Sequence, residues 1–280
     1  MNDHSSELKG INMKRTNNIG DAAMGNLTRR NAIFAGAASF ALDSLGLGEN
    51  AHAAAPPTKP TGQAILGFSQ EVTVLHPLMT ANEVDQGVWW NLFSPLWMID
   101  ADGKFVPQLA KAVPTVENGG ISPDGLTWRV ELRHDVKWHD GKPMTAEDVK
   151  FSIGLMKNPA FRARNRTAFE YIASVGVEGD NVITWKLKEP YAPLASVLSW
   201  TFIVPAHILS QNSDPNSPQF AAAPVGTGPF RFVSRETGNY VILEANTNYF
   251  GKPPFLNRLI FKYVPDLNAM YTQFKTGEID

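Results

Sequence analysis

The chain has 280 residues, 43% hydrophobic and 19% charged, with 25 Lys and Arg against 27 Asp and Glu. That is a globular composition for one or two domains, and a net charge of −2 gives no electrostatic footing for nucleic acid or an anionic membrane surface. With no cysteine present, disulfides, thiolate metal sites and a lipid-modified N-terminal cysteine are excluded.

Residues 1–55 read as an export signal and are set aside from the fold. A polar stretch leads to Thr28-Arg29-Arg30-Asn31, then to a weakly apolar, Ala- and Gly-rich run from Ala32 to Leu47 that Asp43 interrupts. Ala51-His52-Ala53-Ala54-Ala55 offers the small residues of a cleavage site, and residues 56–62 form a Pro-rich linker. The paired Arg29 and Arg30 ahead of a modest apolar segment resemble a twin-arginine signal. The run is too short and too Gly-rich for a membrane span, which needs ~20 apolar residues. The expected product is periplasmic and soluble after cleavage.

Strand and helix signals follow in order. Gln63 to Ser69 is a short apolar strand candidate. Thr80 and Glu83 have capping-box spacing, and Val84, Val88 and Leu92 then form one helical stripe that Pro95 ends. Asp102-Gly103 between Leu96–Ile99 and Lys104–Val106 predicts a hairpin. From Thr127 to Arg133, Trp128, Val130 and Leu132 alternate with polar residues. Asn181 to Lys188 repeats the pattern with Ile183, Trp185 and Leu187, after a Gly179-Asp180 turn. Such alternation predicts half-buried antiparallel strands. Thr145 opens a helix with Val149, Ile153 and Met156 on one face. Val241–Leu243 and Leu259–Val264 read as strands, and Asp266–Thr276 as a helix with Leu267, Met270 and Phe274 aligned and Gly277 as its stop. The class is mixed α/β, with antiparallel strands that break a simple βαβ order.

Three segments carry a resemblance. The run Pro123 to Val149, containing Asp135-Val136-Lys137-Trp138-His139-Asp140-Gly141, resembles the signature of the family 5 extracellular solute-binding proteins, the peptide and nickel binders. Pro224-Val225-Gly226-Thr227-Gly228-Pro229-Phe230 is similar to their second hallmark. Asn248-Tyr249-Phe250-Gly251-Lys252-Pro253, with Thr276-Gly277-Glu278-Ile279-Asp280, is similar to the third.

The resemblance implies a type II periplasmic-binding-protein fold of two lobes closing on a ligand, with residues 63–280 supplying mostly the first lobe. It also implies a longer protein, so the chain is expected to be a fragment, truncated before the second lobe. The implied function is the substrate-binding component of an ABC importer. It would bind a short peptide or similar small solute reversibly and deliver it to an inner-membrane ABC permease, after passage through the twin-arginine translocase. A periplasmic hydrolase and an inactive truncated product are the alternatives. Beyond the signal-like residues 1–55 the chain lacks G-x-S-x-G, H-E-x-x-H and S-x-x-K, so no enzyme and no catalytic residue is assigned, and no cofactor is expected.

Ligand contact is placed first on the loop Gln70-Glu71-Val72-Thr73 after the first strand. Trp89 and Trp97 are open to two readings, core packing and cleft lining. Gly226, Thr227 and Gly228 are read as a sharp turn beside the cleft, with amide contact to ligand as the alternative. His134, His139 and Asp140 lack a third ligand by spacing, and no metal site is assigned. Arg162, Arg164 and Arg166 read as a solvated basic face.

Overall fold

The computed structural model describes residues 59–79 and 82–280. The export signal, with Arg29 and Arg30, and the first half of the linker lie outside the described residues, as does Thr80.

Three sheets organise the described residues. The largest has the order β1-β9-β8-β7, where β1 is Gln63–Phe68, β7 Phe230–Glu236, β8 Tyr240–Ala245 and β9 Arg258–Tyr263. β1 runs parallel to β9, and the other pairs are antiparallel. Its buried face carries Val241 and Leu243 of β8 opposite Phe261 and Leu259 of β9. Phe68 stacks on Phe261 with ring centroids 5.8 Å apart. Over this sheet lies α1, Glu83–Leu92, with Val84, Val88 and Leu92 buried as their spacing predicts.

The second sheet is antiparallel, β4-β6-β5, built from β4 Thr127–Glu131, β5 Ile172–Glu178 and β6 Val182–Leu187. The two predicted alternating runs meet face to face: Trp128 is opposite Trp185 and Val130 opposite Ile183. The two indoles stack at 5.9 Å. α2, Ala146–Lys157, covers β5 and β6 with Val149, Ile153 and Met156 buried. The predicted hairpin is β2, Trp97–Ile99, against β3, Phe105–Pro107, turning at Gly103 with φ 77°. Short helices α3 Thr167–Glu170, α4 Leu194–Ser199, α5 Ala206–Leu209 and α6 Pro218–Ala222 fill the connections, and α7 is Leu267–Thr276.

Two expectations change in the structure. α1 starts later than the Thr80–Glu83 spacing implies: its N-cap is Asn82, whose N–H donates to Asp85 at 3.0 Å, and Glu83 is the first helical residue. The α7 stripe does not form core. Leu267 is 67% and Phe274 38% exposed, while Met270 leans on β1 near Gly67.

Candidate functional site

Asp85 ties the first expected binding loop to α1. It is fully buried. Its carboxylate accepts from the N–H groups of Thr73 at 2.6 Å and Val74 at 3.1 Å, from the Thr73 hydroxyl at 3.2 Å, and from its own helix cap. A carboxylate in the first helical turn is favoured by the N–H groups left unpaired there. Here the same oxygens also capture a loop 11 and 12 residues away in sequence. One residue earlier in the loop, Val72 is buried. Gln70 and Thr73 are exposed, and Glu71 pairs with Arg235 at 3.4 Å and accepts from the Gly238 N–H at 2.7 Å. The crevice between this loop and β7–β8 measures about 10 Å³, room for a single water at most.

A larger opening begins at the next residue of α1. Gln86 and Trp89 form one side of a cleft of about 460 Å³, within the range of small-molecule sites. Trp89 is buried and its indole N–H donates to the Val74 carbonyl at 2.8 Å, so it joins the loop to the cleft wall. The opposite wall comes from the segment after α2 and from the end of α4: Arg164, Asn165, Trp200 and Thr201.

Trp200 is 46% exposed and meets Trp90 edge to face at 5.2 Å, and Trp90 meets Phe202 likewise at 4.8 Å. Arg164 is half-buried. Its guanidinium donates to the Trp200 carbonyl at 2.7 Å, its backbone N–H donates to Leu78 at 3.0 Å, and desolvation pushes its pKa down from the usual arginine value. No carboxylate among the described residues pairs with it.

The other sequence candidates go elsewhere. Trp97 is fully buried with its indole N–H on the Ala195 carbonyl at 2.8 Å, and it packs core rather than cleft. Gly226, Thr227 and Gly228 are all buried at the far end of α1, and none of them lines the crevice or the cleft described above. Neither glycine has a positive φ, although the chain bends at residues 227–229. The reason for glycine is close approach: a Cβ on Gly226 would lie 1.8 Å from the Leu92 carbonyl oxygen, and one on Gly228 2.4 Å from that of Asn91.

His139 clamps the same segment from the other side. Its Nδ1 accepts from the Gly226 N–H at 3.1 Å, and its Nε2–H donates to the Gly228 carbonyl at 3.1 Å. Burial lowers its pKa from 6.5 to about 4, which keeps that neutral tautomer in place. Asp140 pairs with His207 at 2.7 Å and His134 meets Asn181, so the three residues weighed as metal ligands point to three different partners.

The basic cluster is likewise divided. Arg166 donates to the Phe161 carbonyl and the Arg162 backbone to Asn216, while Arg164 alone enters the cleft. Arg164, Asn165, Trp200 and Thr201 are the site residues that sequence reasoning missed. Their one visible signal was the arginine run itself.

Residues 104–280 match the model of the bacterial extracellular solute-binding proteins, family 5. The oligopeptide-binding protein AppA of Bacillus subtilis is 30% identical over 223 residues, 78% of this chain and 40% of AppA. Its crystal structure in complex with a nonapeptide superposes with TM-score 0.73 at 29% identity, covering 79% of this chain and 44% of that one. NikZ of Campylobacter jejuni, in complex with Ni(L-His), superposes with TM-score 0.71 at 33% identity, covering 79% and 43%. The chain thus spans about two-fifths of the length of these relatives.

Proposed function

Because the chain belongs to the family 5 bacterial extracellular solute-binding proteins, we propose that it is part of the solute-binding component of an ABC importer, which holds a short peptide or similar small solute reversibly and passes it to a membrane permease. The 460 Å³ cleft carries this reading. Its walls offer aromatic surface, amide groups and one guanidinium, which are binding groups. No His, Asp, Glu, Lys or Cys stands among its lining residues, so hydrolysis there would lack a general base.

The loop Gln70–Thr73 is the second part of the site, held to the same helix by Asp85. Its exposed residues can offer backbone groups to an extended peptide, a mode that tolerates varied side chains. AppA binds a nonapeptide and NikZ Ni(L-His), and both ligand types belong in the screen. The signal-like residues 1–55 fit export by the twin-arginine route to the periplasm, where a binding protein meets its permease.

The test is thermal unfolding of the chain against libraries of peptides, opines, sugars and nickel complexes. Ligand stabilises by RT ln(1 + [L]/Kd), about 2.7 kcal/mol at a hundredfold excess over Kd. A saturable rise in Tm with at least one class is expected. No rise with any class, or turnover of a chromogenic ester, would overturn the reading.

A further inference from the structure

The chemistry of the cleft names the class of solute more narrowly, an inference that rests on the binding role proposed above. Arg164 is the single charged residue among those lining the cleft. The described carboxylates all lie elsewhere, and burial without a counter-charge is what depresses its pKa. One N–H of the guanidinium is used by the Trp200 carbonyl. A guanidinium has five donors in a planar fork, so most of the fork remains free for a ligand. An unpaired, half-buried cation is costly to keep unless something anionic completes it.

The neighbouring amide adds to the same polarity. Asn165 accepts the Thr167 N–H at 3.1 Å with its side-chain oxygen, leaving its NH₂ as what it offers the cleft. Beside these donors stands an indole with nearly half its surface uncovered. Trp200 is braced edge to face by Trp90, which is braced by Phe202, so the ring is held rather than loose. A braced, exposed aromatic face favours another flat or apolar group laid against it.

We propose that this wall of the cleft selects a carboxylate-bearing solute with a flat or apolar group next to the carboxylate, such as the C-terminal end of a peptide finishing in an aromatic residue. The carboxylate sits in the Arg164 fork, and the flat group lies on Trp200. The same arrangement rejects solutes that place a cation there.

Isothermal titration of the chain with N-acetyl-phenylalanine, its neutral amide and N-acetyl-alanine separates the two contributions. The acid should bind at least tenfold tighter than the amide and several-fold tighter than the alanine acid. Arg164→Gln should abolish the acid-over-amide preference, and Arg164→Lys should keep part of it, since the charge remains while the fork is lost. Trp200→Leu should remove the phenylalanine-over-alanine preference. Circular dichroism establishes that each variant is folded.

Equal affinity for acid and amide, with peptides still bound, would overturn the proposed ligand class and leave the binding role standing. An acid preference that survives Arg164→Gln would equally overturn the assignment. Failure of these probes and of every class in the thermal screen would overturn both.

Discussion

Two buried groups set the response of single residues. Asp85 satisfies three backbone N–H groups, those of Thr73, Val74 and Asn82, from a position with no solvent to replace it. Asp85→Ala leaves those donors to find other partners, at about 1–3 kcal/mol for each one that stays unsatisfied. A loss of about 3 kcal/mol is expected, or a fall in Tm of about 6–12 °C for a chain of this size, read by thermal unfolding. Asp85→Asn should cost less, since one oxygen remains. His76 lies between the rings of Phe161 and Phe220, 5.3 and 5.2 Å away, with Nδ1 accepting the Leu78 N–H and Nε2 without a partner.

Burial lowers the His76 pKa to about 4 from 6.5. Between those values the unfolded chain binds the proton and the folded one does not. Stability is therefore complete above pH 6.5 and declines as pH falls towards 4. The decline from this ring amounts to about 3 kcal/mol by the acid end of that window, at 1.36 kcal/mol per pKa unit. His139 acts in the same direction. Denaturant unfolding of His76→Leu from pH 7 to pH 4.5 should show a flatter profile than the parent. An equally steep profile would exclude this ring as the cause.

At the scale of elements, glycine shows where the backbone is crowded and where it is not. Gly226→Ala drives a Cβ into the Leu92 carbonyl at the end of α1, and Gly228→Ala into that of Asn91. Both atoms are main chain in a packed region, so the helix end must move. A cost of about 1–3 kcal/mol or more is expected in chemical denaturation. Gly154, exposed within α2, has no atom within 4 Å of a Cβ, so Gly154→Ala should stabilise by about 0.5–1 kcal/mol.

The same scale explains which elements the sequence announces. β4, β6, α1 and α2 carry their buried residues at an unbroken period of two or of three to four, and each is where its pattern places it. β5 and β7 are not announced. Each has a register shift, at Ile172/Ser174 and at Phe232/Ser234, and one extra residue flips the faces and erases the alternation. α7 shows a further limit. Its stripe is regular, yet Leu267 and Phe274 remain 67% and 38% exposed, because periodicity identifies a face without identifying what it meets.

For the molecule as a whole, family and fold class are legible in three linear motifs, and the site is mostly not. The motifs do structural work: Gly141 turns with φ 89°, His139 clamps Gly226 and Gly228, and Asp148 gathers the Thr145 and Ala206 N–H groups and the Trp138 indole. Residues that hold a shared fold need fixed spacing, whereas residues that contact a solute need only converge in space. Gln86, Arg164 and Trp200 are 78 and 36 residues apart along the chain, and no local pattern joins them. Of the loop Gln70–Thr73, the sequence gives the position, just after a strand, but not the link through Asp85 that sets it beside the cleft.

Native mass spectrometry of the chain, titrated with the solutes that raise its Tm, reports the stoichiometry of binding and the chemical fate of the solute together. A saturable one-to-one adduct is expected, lost in Arg164→Gln for acidic solutes and releasing solute of unchanged mass. Release of a cleaved or modified solute, or a one-to-one adduct equally stable in Arg164→Gln and Trp200→Leu, would contradict it.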